Sequence, residues 1–321
     1  MIRLLGLGNA LTDVHMSIDS DNLLEELGLP KGSMQLIDSF RFEKINERMS
    51  DFDKSVSCGG SAANTITGAS QLGVPSSFIG KVNTDKMGAL YKADMESYRV
   101  NAFLLIDNEV SGQALAFVST DGERTFATFL GAAANLTPED LHAHQFENHD
   151  LLYLEGYLIF NRDLVLKAVQ MAKEKGLKVA LDLASYNVVE ANRDFLIELL
   201  ESYVDLVFAN EEEAKALTGE EPEKALDILA TYCETAVVKV GSRGAMAKSG
   251  ERSVYVPAIE ANRVDTTGAG DLFAAGFIFG MHLGLPLEEC TRYGTITAGK
   301  VIEVMGPKMS PDTWVEIKSM L

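Results

Sequence analysis

The sequence predicts a three-layer α/β/α protein with a mostly parallel central sheet and a small discontinuous β lid. Apolar stretches near 2–8, 76–80, 150–154, 178–182, 204–208 and 235–240 alternate with amphipathic helical patterns such as Asp163 to Lys175 and Pro222 to Cys233. Strand, helix, strand repetition needs crossover connections, and these cover a parallel sheet on both faces. Residues 13–38 and 100–129 break that rhythm. Gln113 to Ser119 alternates apolar and polar positions, and a turn at Thr120-Asp121-Gly122-Glu123 leads into Arg124-Thr125-Phe126. Both stretches read as antiparallel strands with one solvated face, inserted twice as a lid. The chain from Ala269 onward is nearly all helical, with Gly284 and Pro286 separating two helices. The expected division is therefore 1–12, 39–99 and 130–321 for the large domain, and 13–38 and 100–129 for the lid.

A chain of 321 residues, 46% hydrophobic, is long enough to bury a sizeable core. Its formal net charge of -19 argues against a nucleic-acid or anionic-membrane surface, because the attraction that drives such binding is reversed. An anionic substrate needs a local site. Cys58, Cys233 and Cys290 are odd in number and far apart, which fits reduced thiols in a cytoplasm and draws no metal cluster. The apolar start, Ile2 to Gly8, is interrupted by Asn9 and Asp13 and reads as a buried strand, not a signal peptide. Leu272 to Leu285 falls short of the roughly 20 residues a membrane span requires.

The most informative motif is Asp265-Thr266-Thr267-Gly268-Ala269-Gly270-Asp271, followed by an apolar helical run. Two glycines flanking an alanine at a helix start leave unshielded N–H groups at the positive end of the helix dipole, which makes an anion cradle. Asp271 repels the charge those groups attract. Its place is explained if it takes a proton from a hydroxyl that attacks the bound anion.

No G-x-x-x-x-G-K-[ST] loop and no protein-kinase signature occur, and Gly6-Leu7-Gly8-Asn9-Ala10-Leu11 lacks the third glycine of a dinucleotide fingerprint. Gly8 to Asp13 instead ends a strand with an amide and a carboxylate, where open α/β sheets bind ligands. Asp13 has acceptors enough for a vicinal diol. Cys58-Gly59-Gly60-Ser61-Ala62-Ala63-Asn64 permits close backbone approach and places Asn64 in the first turns of a helix. Asn210-Glu211-Glu212-Glu213 follows another strand, where acidic residues at a helix start favour the dipole.

The string D-T-T-G-A-G-D-x-F-x-A-G-F resembles the C-terminal signature of the ribokinase-like (PfkB-type) sugar and nucleoside kinases, and the Gly-Gly cluster resembles their N-terminal one. The serine after the two glycines is more similar to adenosine kinases than to ribokinases. The resemblance spans essentially the whole chain and implies the ribokinase-like fold. It implies Asp271 as base beside the Gly268, Ala269 and Gly270 cradle, and Asn9, Asp13, Gly59, Gly60 and Asn64 around the sugar. Leu11, Phe126 and Tyr157 align with groups that sandwich a purine; core or lid packing is the alternative. Arg124 corresponds to a lid arginine directed at the transferring phosphates; taken alone it is a solvated charge. Asn210 and Glu213 correspond to an element that organises magnesium through water, with Glu211 and Glu212 as spectators. Gly241 to Gly244 is the expected nucleotide loop. Lys239 departs from the threonine or serine that many relatives carry there, so either a hydroxyl contact to the nucleotide is lost or the ammonium reaches a phosphate instead.

The implied activity is ATP- and Mg2+-dependent phosphorylation of the 5'-hydroxyl of a nucleoside, adenosine first. K+ is an optional cofactor, with the Gly306 loop as a source of carbonyls, and the protein is a monomer or homodimer. A ribose, fructose or other nucleoside kinase, and a non-catalytic sensor that kept the fold, are the competing readings.

Overall fold

The computed structural model describes residues 1–321. A nine-stranded sheet runs in the order 252–256, 245–249, 235–239, 206–210, 178–182, 151–155, 4–7, 76–82, 101–106. From 101–106 to 235–239 every pairing is parallel, and the last two strands are antiparallel. The strands are buried on both faces because alternate side chains enter different cores: Leu5, Leu7, Leu152 and Leu154 join one cluster, Leu4, Leu151 and Tyr153 the other. Helices Arg162–Glu174, Tyr186–Ser202, Glu211–Thr218 and Pro222–Tyr232 cover the first face. Helices Ser61–Leu72, Lys86–Ser97, Ala269–His282, Leu287–Val301 and Pro311–Met320 cover the second. No helix is long and apolar enough to cross a membrane, and all three cysteines are free thiols.

The chain enters the sheet at Leu4–Leu7 and continues to one side with 76–82 and to the other with 151–155. The carboxyl ends of these strands diverge there and open the crevice in which doubly wound sheets bind ligands.

A second, five-stranded sheet has the order 34–36, 124–129, 112–118, 11–17, 55–59. It differs from the antiparallel, half-solvated lid in three respects. Strand 11–17 runs parallel to 112–118, and 34–36 runs parallel to 124–129. Ser55–Gly59 joins this sheet, whereas Asn101–Ile106 forms an edge of the large one. One face is covered by Asn22–Leu27 and Ser39–Arg48, which bury Leu24, Phe42 and Ile45 against Val14, Met16, Leu115 and Phe117. The other face, carrying Asp13, Ala114, Phe126 and Thr128, looks into the crevice.

Candidate active site

Five parallel strands end in polar residues that line one cavity of about 800 Å³: Asn9, Glu155, Asp182, Asn210 and Lys239. Helix starts close it with Gly60, Ser61 and Asn64 on one side and Thr267 to Asp271 on the other. The small sheet supplies Leu11, Asp13, Met34, Leu36 and Phe126. Tyr157 and Phe160 complete the apolar side.

Gly268 occupies the left-handed region (φ 78), and a β-carbon there would lie 2.6 Å from Pro307, so only glycine fits this cap. Of the three expected cradle donors, Ala269 is withdrawn, because its N–H turns back to the Thr266 carbonyl (3.1 Å). The N–H groups of Gly268, Gly270 and Asp271 have no protein partner and remain for an anion at the helix start.

Asp271 is held at both oxygens: Ser61 Oγ donates to Oδ1 (2.7 Å) and Asn64 Nδ2 to Oδ2 (3.0 Å). Burial pushes its carboxyl up to about 6, while those two donors and Lys239 pull against it. Asn64 is 6% exposed, and its Oδ1 acceptor has no partner. Burial likewise pushes Asp13 up to about 7, against the pull of Lys308 and Arg124. Gly60 (φ 92) brings its backbone against the Asn9 carbonyl, where a β-carbon would collide. Gly59 lies outside the lining and leaves room for the Asp13 carboxylate behind it.

Glu155, which sequence reasoning missed, ties two loops together. It accepts from Asn9 N (2.8 Å), Asn9 Nδ2 (2.5 Å) and Ala62 N (2.9 Å), and burial pushes it up to about 7. Asp182, also missed, receives Lys239 Nζ at 2.9 Å and Ala184 N–H at 2.9 Å, holding Ala184 in the left-handed region (φ 66). The signal available for both was a carboxylate ending a buried apolar strand. Burial works against the Lys239 charge, but Asp182 and Glu213 outweigh it and hold the ammonium above its usual range. The ammonium therefore lies beneath the cradle, 3.1 Å from where a Gly270 β-carbon would be.

Asn210 and Glu213 close on one another in a capping box: Glu213 oxygens accept from Asn210 N and Nδ2 (both 2.7 Å), and Asn210 Oδ1 accepts from Glu213 N (2.8 Å). Glu211 and Glu212, expected to be spectators, line the cavity as well. Glu211 also pairs with Arg243. Gly241 lines the cavity, whereas Gly244 packs against the Val256–Ala258 backbone.

Arg124 is not a solvated hairpin charge. Its side chain is 6% exposed and pairs through Nη1 with Asp265 Oδ2 (2.8 Å) beside Thr267 (3.2 Å), outside the cavity lining. Asp265 also accepts from Gly306 N (2.6 Å) and from Thr267 N and Oγ1. With Arg124, these donors occupy the lone pairs of Asp265 and fix the turn before the cradle. Glu213 lines the cavity and keeps a lone pair on each carboxylate oxygen beyond those taken by Asn210, which fits Mg2+ held through water, since magnesium takes oxygen ligands and keeps much of its own hydration.

The family model for pfkB family carbohydrate kinases matches residues 32–314. A solved structure of a "probable sugar kinase" from Rhizobium etli superimposes with a TM-score of 0.90 at 33% identity, over 99% of this chain and 98% of that one. The adenosine kinase of Sinorhizobium meliloti superimposes with a TM-score of 0.89 at 35% identity, over 100% and 99%. An uncharacterized sugar kinase of Archaeoglobus fulgidus is 30% identical over 243 residues, 75% of this chain and 96% of its own. With an anion cradle and a buried carboxylate at the carboxyl ends of a ribokinase-like sheet, the chain belongs to the PfkB family of carbohydrate kinases, phosphotransferases that act on sugar or nucleoside hydroxyl groups.

Proposed function

We propose that this protein transfers the γ-phosphoryl group of ATP to the 5'-hydroxyl of a nucleoside, adenosine first. The observation that carries this reading is the contrast between the cavity walls. Asp13, the orphaned Asn64 Oδ1 and Asp271 form a wall of acceptors that calls for a ligand rich in hydroxyl donors. Beside Asp13 on the small sheet, Leu11, Met34, Leu36 and Phe126, together with Tyr157, form an apolar slot that a ribose alone leaves unfilled. A ribosyl group against the first wall and a flat base in the second use both.

In this reading Asp13 accepts from the ribose diol, and Asn64 Oδ1 accepts a further hydroxyl. Asp271 takes the proton of the attacking 5'-hydroxyl. The N–H groups of Gly268, Gly270 and Asp271 spread the charge of the transferring group, with Lys239 beneath them. ATP phosphates lie toward Gly241 and the Asn210–Glu213 cap, where Glu213 would hold Mg2+ through water; the ion neutralises phosphate charge when bound. Arg124 fixes the Asp265–Thr267 turn behind the cradle. The small sheet screens the site from water, which otherwise competes as acceptor.

Glu155 supports a second reading. This buried carboxylate in the cavity lining accepts three protein hydrogen bonds and has capacity for one further donor, such as an extra hydroxyl of a free sugar. ADP release over a panel of adenosine, inosine, cytidine, ribose and fructose separates the two. Adenosine is expected to give the highest kcat/KM, and a higher value for ribose or fructose than for every nucleoside overturns the first reading.

A further inference from the structure

Asp271 is gripped by a single helix. Within Ser61–Leu72, Ser61 donates to one carboxylate oxygen and Asn64 to the other, while the Thr65 hydroxyl lies 3.1 Å from the Asp271 carbonyl oxygen and from the Tyr153 hydroxyl. The helix carrying the Gly-Gly-Ser cluster is thus built onto the first turn of the helix carrying the cradle. Only Asn64, Gly59 and Gly60 of that cluster were expected to serve the ligand. Ser61 spends its hydroxyl on Asp271 in the ligand-free chain.

We propose that Ser61, together with the Asn64 amide, is a positioning residue that fixes the plane of the Asp271 carboxylate for proton removal from the acceptor alcohol. The proposal rests on the reading of Asp271 as the base. A carboxylate held by one donor per oxygen cannot rotate freely, yet each oxygen keeps a second lone pair for the substrate hydroxyl. Proton transfer depends on that alignment, since small misplacements of a reacting group cost orders of magnitude in rate. Asn64 is suited to a double task, because its donor end faces Asp271 and its acceptor end is left open.

Other groups also act on Asp271. Burial and Asp182 push its carboxyl up, and Lys239 pulls it down. Tyr153, Glu155, Tyr157 and Asp13 face it electrostatically from the strands and loop around it. A hydrogen bond donated to a carboxylate favours the ionised form, so removing the Ser61 hydroxyl raises the Asp271 midpoint.

Carboxyl 13C NMR of the ligand-free chain measures this directly, with the Asp271 resonance assigned by its loss in Asp271→Asn. Ser61→Ala is expected to raise the midpoint by about one unit. Ser61→Cys, similar in size with a weaker donor, shifts it the same way by less, and Ser61→Thr restores it. In steady state Ser61→Ala lowers kcat for the preferred acceptor about tenfold with little change in KM. An unmoved midpoint in the alanine and cysteine variants, or a rise in KM alone, makes Ser61 a ligand contact or a structural residue and overturns the proposal. The titration needs no turnover, so absence of ADP release with every acceptor overturns the kinase reading separately.

Discussion

The two walls of the cavity are made differently. On the large-sheet side, Asn9, Glu155, Asp182, Asn210, Glu213 and Lys239 end buried strands or start helices, and each is fixed by hydrogen bonds to another of them or to nearby backbone. On the small-sheet side, Met34 and Leu36 are 49% and 60% exposed, on an edge strand of three residues. The first wall is preorganised and charged; the second, apart from the buried Asp13, is apolar and open. The difference teaches a division of labour. Atoms that move protons and phosphoryl groups sit on hydrogen-bonded strand ends and helix starts, while the apolar surface that selects the acceptor sits on the part of the molecule with fewest constraints.

The strongest way to break this division is Asp271→Asn, which keeps the shape and removes the ability to take a proton. Turnover is expected to fall by about 10² to 10⁴, with adenosine and ATP affinities retained in isothermal titration. Lys239→Met comes next, because it leaves Asp182 buried and unpaired. Breaking such a pair costs about 3 to 5 kcal/mol, to be read from denaturant unfolding, and a loss under 1 kcal/mol makes the pair solvated. Asp13→Asn removes a charged acceptor from the ribose diol. Hydrogen bonds to charged groups contribute about 1.5 to 3 kcal/mol, so the KM for adenosine should rise roughly ten- to a hundredfold. Equal rates for adenosine, 2'-deoxyadenosine and 3'-deoxyadenosine in the wild type remove Asp13 from the site.

The smallest effect sharpens the comparison from the stability side. Asp13, Glu155 and Glu213 are pushed up to about 7 and Asp271 to about 6, in each case chiefly by burial, from ordinary values of 3.8 and 4.5. Between those values the folded chain binds more protons than the unfolded one. Their contribution to stability is therefore complete below the unfolded values and is lost as pH rises through 6 to 7. The Tm of the ligand-free protein should drop by a few degrees between pH 5.5 and 8, and Asp13→Asn should flatten that slope. A Tm that climbs over the same interval contradicts the shared cause.

Much of this was legible from residue patterns. Asp271, Gly268 and Gly270 stand out because a glycine turn opens a helix there, and Asn9, Asn210 and Lys239 each end a strand of the apolar pattern. Glu155 and Asp182 escaped because a carboxylate ending an apolar strand looks like any strand-terminating polar residue until the parallel register brings five such ends together. Ser55–Gly59 was absorbed into the motif that follows it, and its pairing with Leu11–His15 is a long-range event no local pattern encodes. Asn101–Ile106 resembled a lid strand because a large-sheet edge strand is also only half-buried. For Arg124, read as a phosphate-directed lid arginine or, taken alone, as a solvated charge, local sequence gives no sign of the pairing with Asp265, which lies far along the chain.

The division of labour is tested most directly by steady-state kinetics of Asp271→Asn, Phe126→Ala and the double variant with adenosine. Loss of a stacked aromatic should weaken adenosine by about 1 to 3 kcal/mol, all of it in KM, while the asparagine acts on kcat alone. If the walls act independently, the double variant shows both losses added within about 0.5 kcal/mol. A Phe126→Ala variant that loses kcat as steeply as affinity, or a double variant no worse than Asp271→Asn, would show instead that the apolar wall takes part in the chemical step.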